Sequence, residues 1–358
     1  MYRRRMEKVR VGVIGAGGYG GCGAVEILSR HPFVELKALI DKQDVGKPIS
    51  ELYPHLEGFC NLPILSPDDL IPPADLDVVL FATPDGVGQK EAPSWLDNGV
   101  KVIDYSGDFR FSDPELYKGY AERIGRQPGH SSPHLLKEAV YGLAELHRRE
   151  IARTRLVGNP GCFAVSCILG LAPVLKEGLI EPIGIVCDAK TGVSGAGKNP
   201  SPTFHYPARY EAMNAYKISG HQHVYEIERE LSLVAGREIN ITFTPHVVPL
   251  CRGIMSTLYA KLGQGVSLRD VEEAYWSSYK EEGFIRLYGH QRPLISTHVR
   301  GSNFCALSLN VDERTGMLIV VSHIDNLVKG QAGSAVQNMN IMFGLPEDAG
   351  LNYPGRYP

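Results

Sequence analysis

The sequence predicts an α/β chain of two domains, a doubly wound parallel-sheet domain followed by an α+β domain on a mixed or antiparallel sheet. Three observations carry this expectation. At 358 residues there is material for about two domains of roughly 150 residues each. Up to residue 158, short β-branched runs alternate with helical stretches, the pattern of a parallel sheet flanked by helices. From 180 to 325 the apolar runs lengthen and alternate on a period of two, as in an antiparallel or mixed sheet covered on one face.

In the first region the strands are expected at Val11–Ile14, Glu35–Ile40, Asp77–Thr83 and Lys101–Asp104, with Arg155–Val157 closing the sheet. Pro63, Pro67, Pro72 and Pro73 mark surface connections between them. In the second region the strands are Ile183–Ala189, Ile239–Pro245, Gly253–Ala260, Asn303–Val311 and Met317–Ser322, with helices over 163–175, 222–235 and 268–281. Gln331–Phe343 is poor in charge and sets Ala335, Met339, Ile341 and Met342 at helical spacing, so it reads as a buried helix that packs back on the body.

Charge and composition exclude several classes. With 37 Lys+Arg against 40 Asp+Glu the net charge is -3, so no bulk field draws the chain to nucleic acid. Seven cysteines, an odd number without a CxxC pair, suit the reduced thiols of a cytosolic protein and argue against a disulfide framework or a metal site. No run of about 18 apolar residues occurs, so no membrane helix is expected. MYRRRMEK passes straight into VRVGVI, and no leader is expected either.

The segment VRVGVIGAGGYGGCGAVEIL spaces Gly15, Gly18 and Gly21 between a strand and a helix. Glycines there let the backbone approach a pyrophosphate, which the helix N-terminus then stabilises, as in a Rossmann-type dinucleotide site; the plainer alternative is a tight structural turn. Asp41, at the end of the second strand, suits the ribose hydroxyls of NAD. Lys42 beside it suits the 2′-phosphate of NADP.

Cys162, in LVGNPGCFAVSCILGLAPVL, follows a strand and opens an apolar helix, where the free N–H groups favour a thiolate. It is the candidate nucleophile, whereas Cys167, Cys187, Cys251 and Cys305 read as small buried residues. The base would come from GHQHVYEIERE, which supplies His221 and His223 with Glu226 nearby; spacing leaves open which histidine serves. A metal reading of His-x-His lacks further ligands at familiar spacing. His205 and His246 read as structural or substrate-contacting. DAKTGVSGAGKNPS, with Lys190 and Lys198, suits an anion. In YSGDFRF, Ser106 and Arg110 follow a parallel strand, and Arg110 reads as a fork for phosphate or carboxylate or as the ion-pair partner of Asp104 or Asp108.

Taken in order, GAGGYGG, ELYPHL, VIDYSGDFRF, VYGLAEL, GNPGCF, DAKTGVSGAG, GHQHVYEIE, FTPHVVPLCRGI, GSNFC and IDNLVKGQAGSAVQNMNIMFGLPE resemble the blocks of the N-acetyl-γ-glutamyl-phosphate reductases, the arginine-biosynthesis members of the aspartate-semialdehyde dehydrogenase superfamily. The resemblance runs from residue 11 to about 346. It implies a dinucleotide-binding domain over 1–158, a catalytic and oligomerisation domain over 159–330, and a C-terminal helix, 331–346, packed on the first. It further implies Cys162 as the thioester-forming nucleophile, the His221/His223 segment as acid-base, and Arg110 at the phosphate, with Ser106, Asn159, Ser194 and Arg252 also on the substrate. The cofactor would be NADP, with NAD possible, held by Gly15, Gly17, Gly18, Tyr19, Gly20, Gly21, Asp41, Lys42, Thr83 and Asn338. No metal, nucleic-acid or membrane partner is implied; a cytoplasmic homodimer or homotetramer acting on a small acyl phosphate is. Two departures stand out: Asp41-Lys42 replaces the family's usual Ser-Arg, and Asp85 replaces a common His. The lysine-pathway relative shares nearly all these blocks, aspartate-semialdehyde dehydrogenase is the other alternative in this class, and a thiol hydrolase or acyltransferase or a non-catalytic nucleotide sensor represents different classes.

Overall fold

A computed structural model describes residues 7–69, 71–289 and 293–357. Residues 1–6, most of the MYRRRMEK segment at the head of the first expected domain, lie outside the described residues. In chain order the elements are β1 (Val9–Ile14), α1 (Tyr19–Leu28), β2 (Val34–Ile40), α2 (Ile49–Leu52), β3 (Ile64–Leu65), β4 (Val78–Phe81), α3 (Gly88–Asp97), β5 (Lys101–Asp104), α4 (Pro114–Arg123), β6 (Val140–Tyr141), α5 (Ala144–Ile151), β7 (Leu156–Gly158) and α6 (Cys162–Lys176). They continue as β8 (Ile185–Thr191), α7 (Tyr206–Arg209), β9 (Asn214–Ala215), α8 (His223–Ala235), β10 (Ile241–Val247), β11 (Ile254–Lys261), α9 (Leu268–Tyr279), β12 (Ile285–Tyr288), β13 (Cys305–Asp312), β14 (Met317–Ile324) and α10 (Gly333–Met342).

Two compact units result. The first takes the described residues of Met1–Ala121 with Gln127–Pro160 and Gln331–Asn352; the second takes Glu122–Arg126, Gly161–Gly330 and the described residues of Tyr353–Pro358.

The first unit holds a sheet of order β3-β2-β1-β4-β5-β7-β6, parallel throughout. Its central strands are apolar on both faces, as VRVGVI and VVLF show, because helices cover both sides of such a sheet. Strand order reverses between β1 and β4, where Gly15 N–H bonds Ile40 O and Ala82 N–H bonds Ile14 O, both at 2.8 Å. Every candidate of this unit except Asn338 lies just past the carboxyl end of a strand, which is where ligands bind in such sheets. Helix α10 is buried along its whole length and packs on α1 and α5. Buried polar contacts fix it: Asn340 Nδ2 donates to Glu347 O and Ala349 O, and Lys101 Nζ, from β5, caps Met342 O at 2.6 Å.

The second unit is built on α6, buried from Phe163 to Leu175. Its sheet, β12-β13-β14-β11-β8-β10-β9, is mixed: β8 with β10 and β12 with β13 are parallel, and the other pairs antiparallel. Strands β8 and β11 alternate between buried and half-buried residues, so one face meets α6 and the other does not. On the inner face Ser166 Oγ of α6 reaches Ser256 Oγ at 2.9 Å and Ser322 Oγ at 3.0 Å, and Tyr275 and Tyr279 of α9 donate to the carbonyls of Gly170 and Leu169. On the outer face Asp188 lies 2.5 Å from Lys190 Nζ and 3.1 Å from His246 Nδ1. Lys190, expected to face an anion, is thus paired with a neighbouring carboxylate. Cys251, expected to be buried, is exposed in the bend between β10 and β11; Cys167, Cys187 and Cys305 are buried.

The first turn of the first unit is closed by a tight backbone approach. A Cβ on Gly21 would collide with the carbonyl oxygen of Gly15 and with Ala16 Cα, whereas one on Gly18 would stand 3.5 Å from Gly15 O, an ordinary contact. Gly21→Ala should therefore cost about 1–3 kcal/mol, and Gly18→Ala, which meets no clash and loses only a favoured N-cap residue, less than about 1 kcal/mol. Urea denaturation of the two variants measures the difference; equal costs would contradict this account of the turn.

Candidate active site

The dinucleotide turn belongs to the first unit. Gly18 is the N-cap of α1, and the amides of its first turn, Tyr19, Gly20 and Gly21, have no carbonyl of their own helix to bond. Asp41 leans into the turn: Oδ2 accepts from Gly17 N–H at 2.9 Å and Oδ1 from Gln43 N–H at 3.2 Å. Lys47 is paired with Asp44 at 3.0 Å, and among the described residues Lys42 is in no ion pair. Thr83 Oγ1 and Asn338 Oδ1 are buried without a hydrogen-bond partner among the described residues. Asn338 is held rigidly all the same, because its Nδ2 donates to Gly142 O at 2.8 Å and Asn159 Oδ1 at 3.1 Å. An amide cradle at a helix N-terminus together with two unsatisfied polar atoms fits a dinucleotide.

The loops after β5 and β7 are tied together. Buried Arg110 donates from Nε to Asn159 O at 2.8 Å and from Nη2 to Tyr105 O at 2.6 Å, so two of its N–H groups serve the backbone instead of standing free for an anion. Ser106 Oγ donates to Asp104 Oδ2 at 2.5 Å and accepts from Asp108 N–H at 3.1 Å; it too is used internally. Burial, with the charge of Asp108 next, pushes Asp104 up to about 8. Asp108 is also raised, chiefly by burial, although Gly86 and Gln89 donate to it. Asp85 pins the YSGDFRF turn to α4, since its Oδ1 accepts from Gly107 N–H at 2.7 Å and from Tyr120 Oη at 2.8 Å.

The second unit assembles the cysteine and histidines. Cys162 is the first residue of α6, after the N-cap Gly161, and is half-buried. Glu226, one turn into α8, is buried; its Oε2 accepts from Gly161 N–H at 3.0 Å and its Oε1 lies 3.7 Å from His223 Nε2. A Cβ on Gly161 would strike the His223 ring, so His223 lies directly against the start of α6. His221 lies further in, its ring edge-on to Phe163, Tyr216 and Phe243. Its Nδ1 accepts from His223 N–H at 3.1 Å, and burial, with the charge of His223 next, lowers it to about 2. His221 is thus kept neutral, whereas His223 lies against the start of α6.

Sequence reasoning passed over the opposite wall of this site. Asp325 is fully buried. Its Oδ1 accepts from Leu327 and Val328 N–H at 2.8 and 3.1 Å and from Arg252 Nη2 at 3.1 Å, and its Oδ2 from Gly301 N–H at 2.6 Å. Its carbonyl accepts from Gly330 N–H at 2.9 Å. Gly330 in turn faces Cys162: a Cβ there would lie 2.6 Å from Cys162 Cβ. Arg252 keeps its Nε buried without a partner among the described residues, and Ser194 Oγ accepts from Asn326 Nδ2 at 3.0 Å. The signal was the acid in IDNLVKG, an unexplained charge at the end of an apolar strand.

Residues 10–154 match the family model described as semialdehyde dehydrogenase, NAD binding domain, and residues 162–326 that described as semialdehyde dehydrogenase, dimerisation domain. A Vibrio cholerae aspartate semialdehyde dehydrogenase II, solved in complex with ASA, shares the fold with a TM-score of 0.72 at 17% identity, covering 94% of this chain and 99% of that one. Fold and site together define an aldehyde-forming oxidoreductase with a dinucleotide-binding domain. A Syntrophobacter fumaroxidans protein named N-acetyl-gamma-glutamyl-phosphate reductase is 44% identical over 343 residues, 96% of this chain and 98% of the relative. A Geobacter metallireducens protein of the same name is 45% identical over 346 residues, again 96% and 98%. The chain belongs to the N-acetyl-gamma-glutamyl-phosphate reductase family.

Removing the Asp325 carboxylate leaves the amides of Gly301, Leu327 and Val328 unpaired, at about 1–3 kcal/mol each. Asp325→Ala should lower stability by at least about 3 kcal/mol in urea titrations. Where the variant is folded, loosening of Gly330 against Cys162 should lower kcat/KM by on the order of tenfold or more with dinucleotide affinity unchanged. An unaltered kcat/KM would remove Asp325 from the positioning of the thiol.

Proposed function

We propose that this chain reduces N-acetyl-γ-glutamyl phosphate to N-acetylglutamate 5-semialdehyde and phosphate, with NADP as the preferred cofactor and Cys162 as the covalent nucleophile. The observation that carries the mechanism is the convergence on the N-terminus of α6, where Cys162, His223, Glu226 and Gly330 meet. The named relatives supply the substrate class.

The residues perform the following chemistry. The Cys162 thiol gives its proton to His223, and the sulfur attacks the acyl carbon; the C–S bond forms as the C–O bond to phosphate breaks, leaving a thioester. The helix N-terminus favours the thiolate and, through its N–H groups, the oxyanion. A bound dinucleotide supplies the hydride equivalent for reduction. His223 then returns its proton to the sulfur as the thiohemiacetal releases the aldehyde. Glu226 orients His223, and His221 braces the backbone of the same turn. Arg110, Ser106, Asn159, Ser194 and Arg252 are the proposed substrate set. Arg110 serves phosphate only through donors not already on Asn159 O and Tyr105 O, and the buried, unpartnered Nε of Arg252 suits a substrate carboxylate. The cofactor set is Gly15, Gly17, Gly18, Tyr19, Gly20, Gly21, Asp41, Lys42, Thr83 and Asn338, with the unsatisfied Asn338 Oδ1 suited to an amide donor.

The working assembly is proposed as a cytoplasmic homodimer or homotetramer. The dimerisation-domain match, the sheet face away from α6 and an odd number of cysteines, seven, without a CxxC pair support this reading. Among the described residues no helix is long and apolar enough to cross a membrane.

The deciding experiment runs the reaction backwards, with N-acetylglutamate semialdehyde, phosphate and each of NADP and NAD, following nicotinamide absorbance. No phosphate-dependent reduction of either cofactor would refute the proposal. Cys162→Ala should lose on the order of 10³-fold or more in kcat with cofactor binding intact. A base works only when deprotonated, so the rate falls as pH falls through its pKa. His221, held to about 2, stays neutral across the assay range and contributes no limb there. The acidic limb should therefore vanish in His223→Ala and survive in His221→Gln; the reverse result would exchange their roles.

Cofactor choice rests on Lys42, since Lys47 is paired with Asp44 and Asp41 is engaged by the Gly17 and Gln43 amides. Lys42→Ala should lower kcat/KM for NADP by roughly five- to tenfold, about 1 kcal/mol for one partly solvated charge, and leave NAD unaltered. A native preference of tenfold or more for NAD would show that the Asp41 charge prevails.

A further inference from the structure

One cluster of chemically able side chains stands outside the cysteine and histidine site. Helix α1 sets Cys22 and Glu26 one turn apart on the same face, and the short turn Pro54–Leu56 brings His55 to them. His55 Nε2 lies 2.7 Å from Glu26 Oε1, Cys22 Sγ lies 3.9 Å from that oxygen, and the three atoms all fall within 4.8 Å of one another. Positions 22, 26 and 55 match no familiar ligand spacing, so only the fold brings them together.

We propose that Cys22, Glu26 and His55 form a binding site for a thiophilic divalent cation of the zinc class. Thiolate, imidazole and carboxylate together suit Zn²⁺ and its congeners, whereas Mg²⁺ and Ca²⁺ require oxygen ligands. Metal–ligand distances of about 2.0–2.3 Å place tetrahedral ligands roughly 3.5 Å apart, so the three side chains need only small adjustments. Three protein ligands leave a fourth position for water. Cys22 is buried, Glu26 half-buried and His55 exposed, which gives a dry sulfur and an open path for the ion. Binding releases the thiol proton as the metal–sulfur bond forms.

The site lies beside the dinucleotide turn. Cys22 N–H bonds Gly18 O at 2.8 Å, and Tyr53, two residues before His55, donates from Oη to Gly17 O at 2.8 Å. A bound ion staples the 53–56 segment to α1 and stiffens the turn those two bonds hold.

The test uses the full chain carrying Cys162→Ala, which removes the thiol proposed as nucleophile as a competing ligand, and Co²⁺ as the spectroscopic probe. The expected result is one Co²⁺ per chain with a sulfur-to-cobalt charge-transfer band. Zn²⁺ should abolish the band, Mg²⁺ should leave it unaltered, Cys22→Ser should remove it, and His55→Ala should weaken Co²⁺ binding at least tenfold. Absence of the band, or a band that persists in Cys22→Ser, overturns the proposal and returns Glu26 and His55 to a surface ion pair. As a check that does not depend on altering the site, Zn²⁺ should slow alkylation of Cys22, mapped by mass spectrometry, at least tenfold; undiminished alkylation also overturns it. Neither readout depends on turnover, so the proposed activity and this site fail separately.

Discussion

Helix α6 is apolar around its whole circumference and can be stable only when enclosed on every side. The second unit is arranged to enclose it: β11 and β14 lie beneath, α8 and α9 beside, and two tyrosines and three serines satisfy the few polar groups that must go inside. That enclosure leaves the helix little freedom to slide or turn. Its first residue, Cys162, is consequently held where the N–H groups of the first turn converge, and the glycines at 161 and 330 are the only residue type small enough to let His223 and the 325–330 turn close on it.

In both units, buried carboxylates are matched largely by backbone amides. Glu226 binds Gly161, Asp325 binds Gly301, Leu327 and Val328, and Asp108 binds Gly86 and Gln89. An amide donor moves only with the chain, so each of these carboxylates fixes a loop instead of a flexible side chain. Burying a charge is costly unless it is hydrogen-bonded, and several preorganised donors per carboxylate offset that cost. The result is a set of loops made rigid by the chain's own groups.

Both sheets were legible in their interiors, because central strands are long enough to show a continuous or alternating apolar pattern. The strands that sequence reasoning missed are β3, β6, β9 and β12, and each is an edge strand. Edge strands are short, and what makes Ile64–Leu65 or Asn214–Ala215 a strand is the neighbour it bonds, not its own periodicity. The same division holds at the site. Cys162 and the histidine pair announce themselves by residue type. Asp325 and Glu226 act through what they accept from distant amides, and Arg110 could be assigned to backbone carbonyls only once Tyr105 and Asn159 were in place. Asp85, opaque as a substitution for His, became intelligible when Gly107 and Tyr120 came within reach of it.

The return of Gln331–Asn352 to the first unit bears on how the chain folds as it is made. A ribosome that has released residues up to 160 has delivered every strand of the parallel sheet, yet α1 and α5 still lack the helix that covers them. Most of the second unit, Gly161–Gly330, is synthesised in between as one stretch, with Glu122–Arg126 made before it and the described residues of Tyr353–Pro358 after it. Completion of the nucleotide-binding unit therefore waits for nearly the last residues of the chain, so its stability depends on contacts of very long sequence separation, which form slowly. A chain cut short before residue 331 would lose the cover of its earliest-made half, and with it the described residues of Tyr353–Pro358 that belong to the second unit.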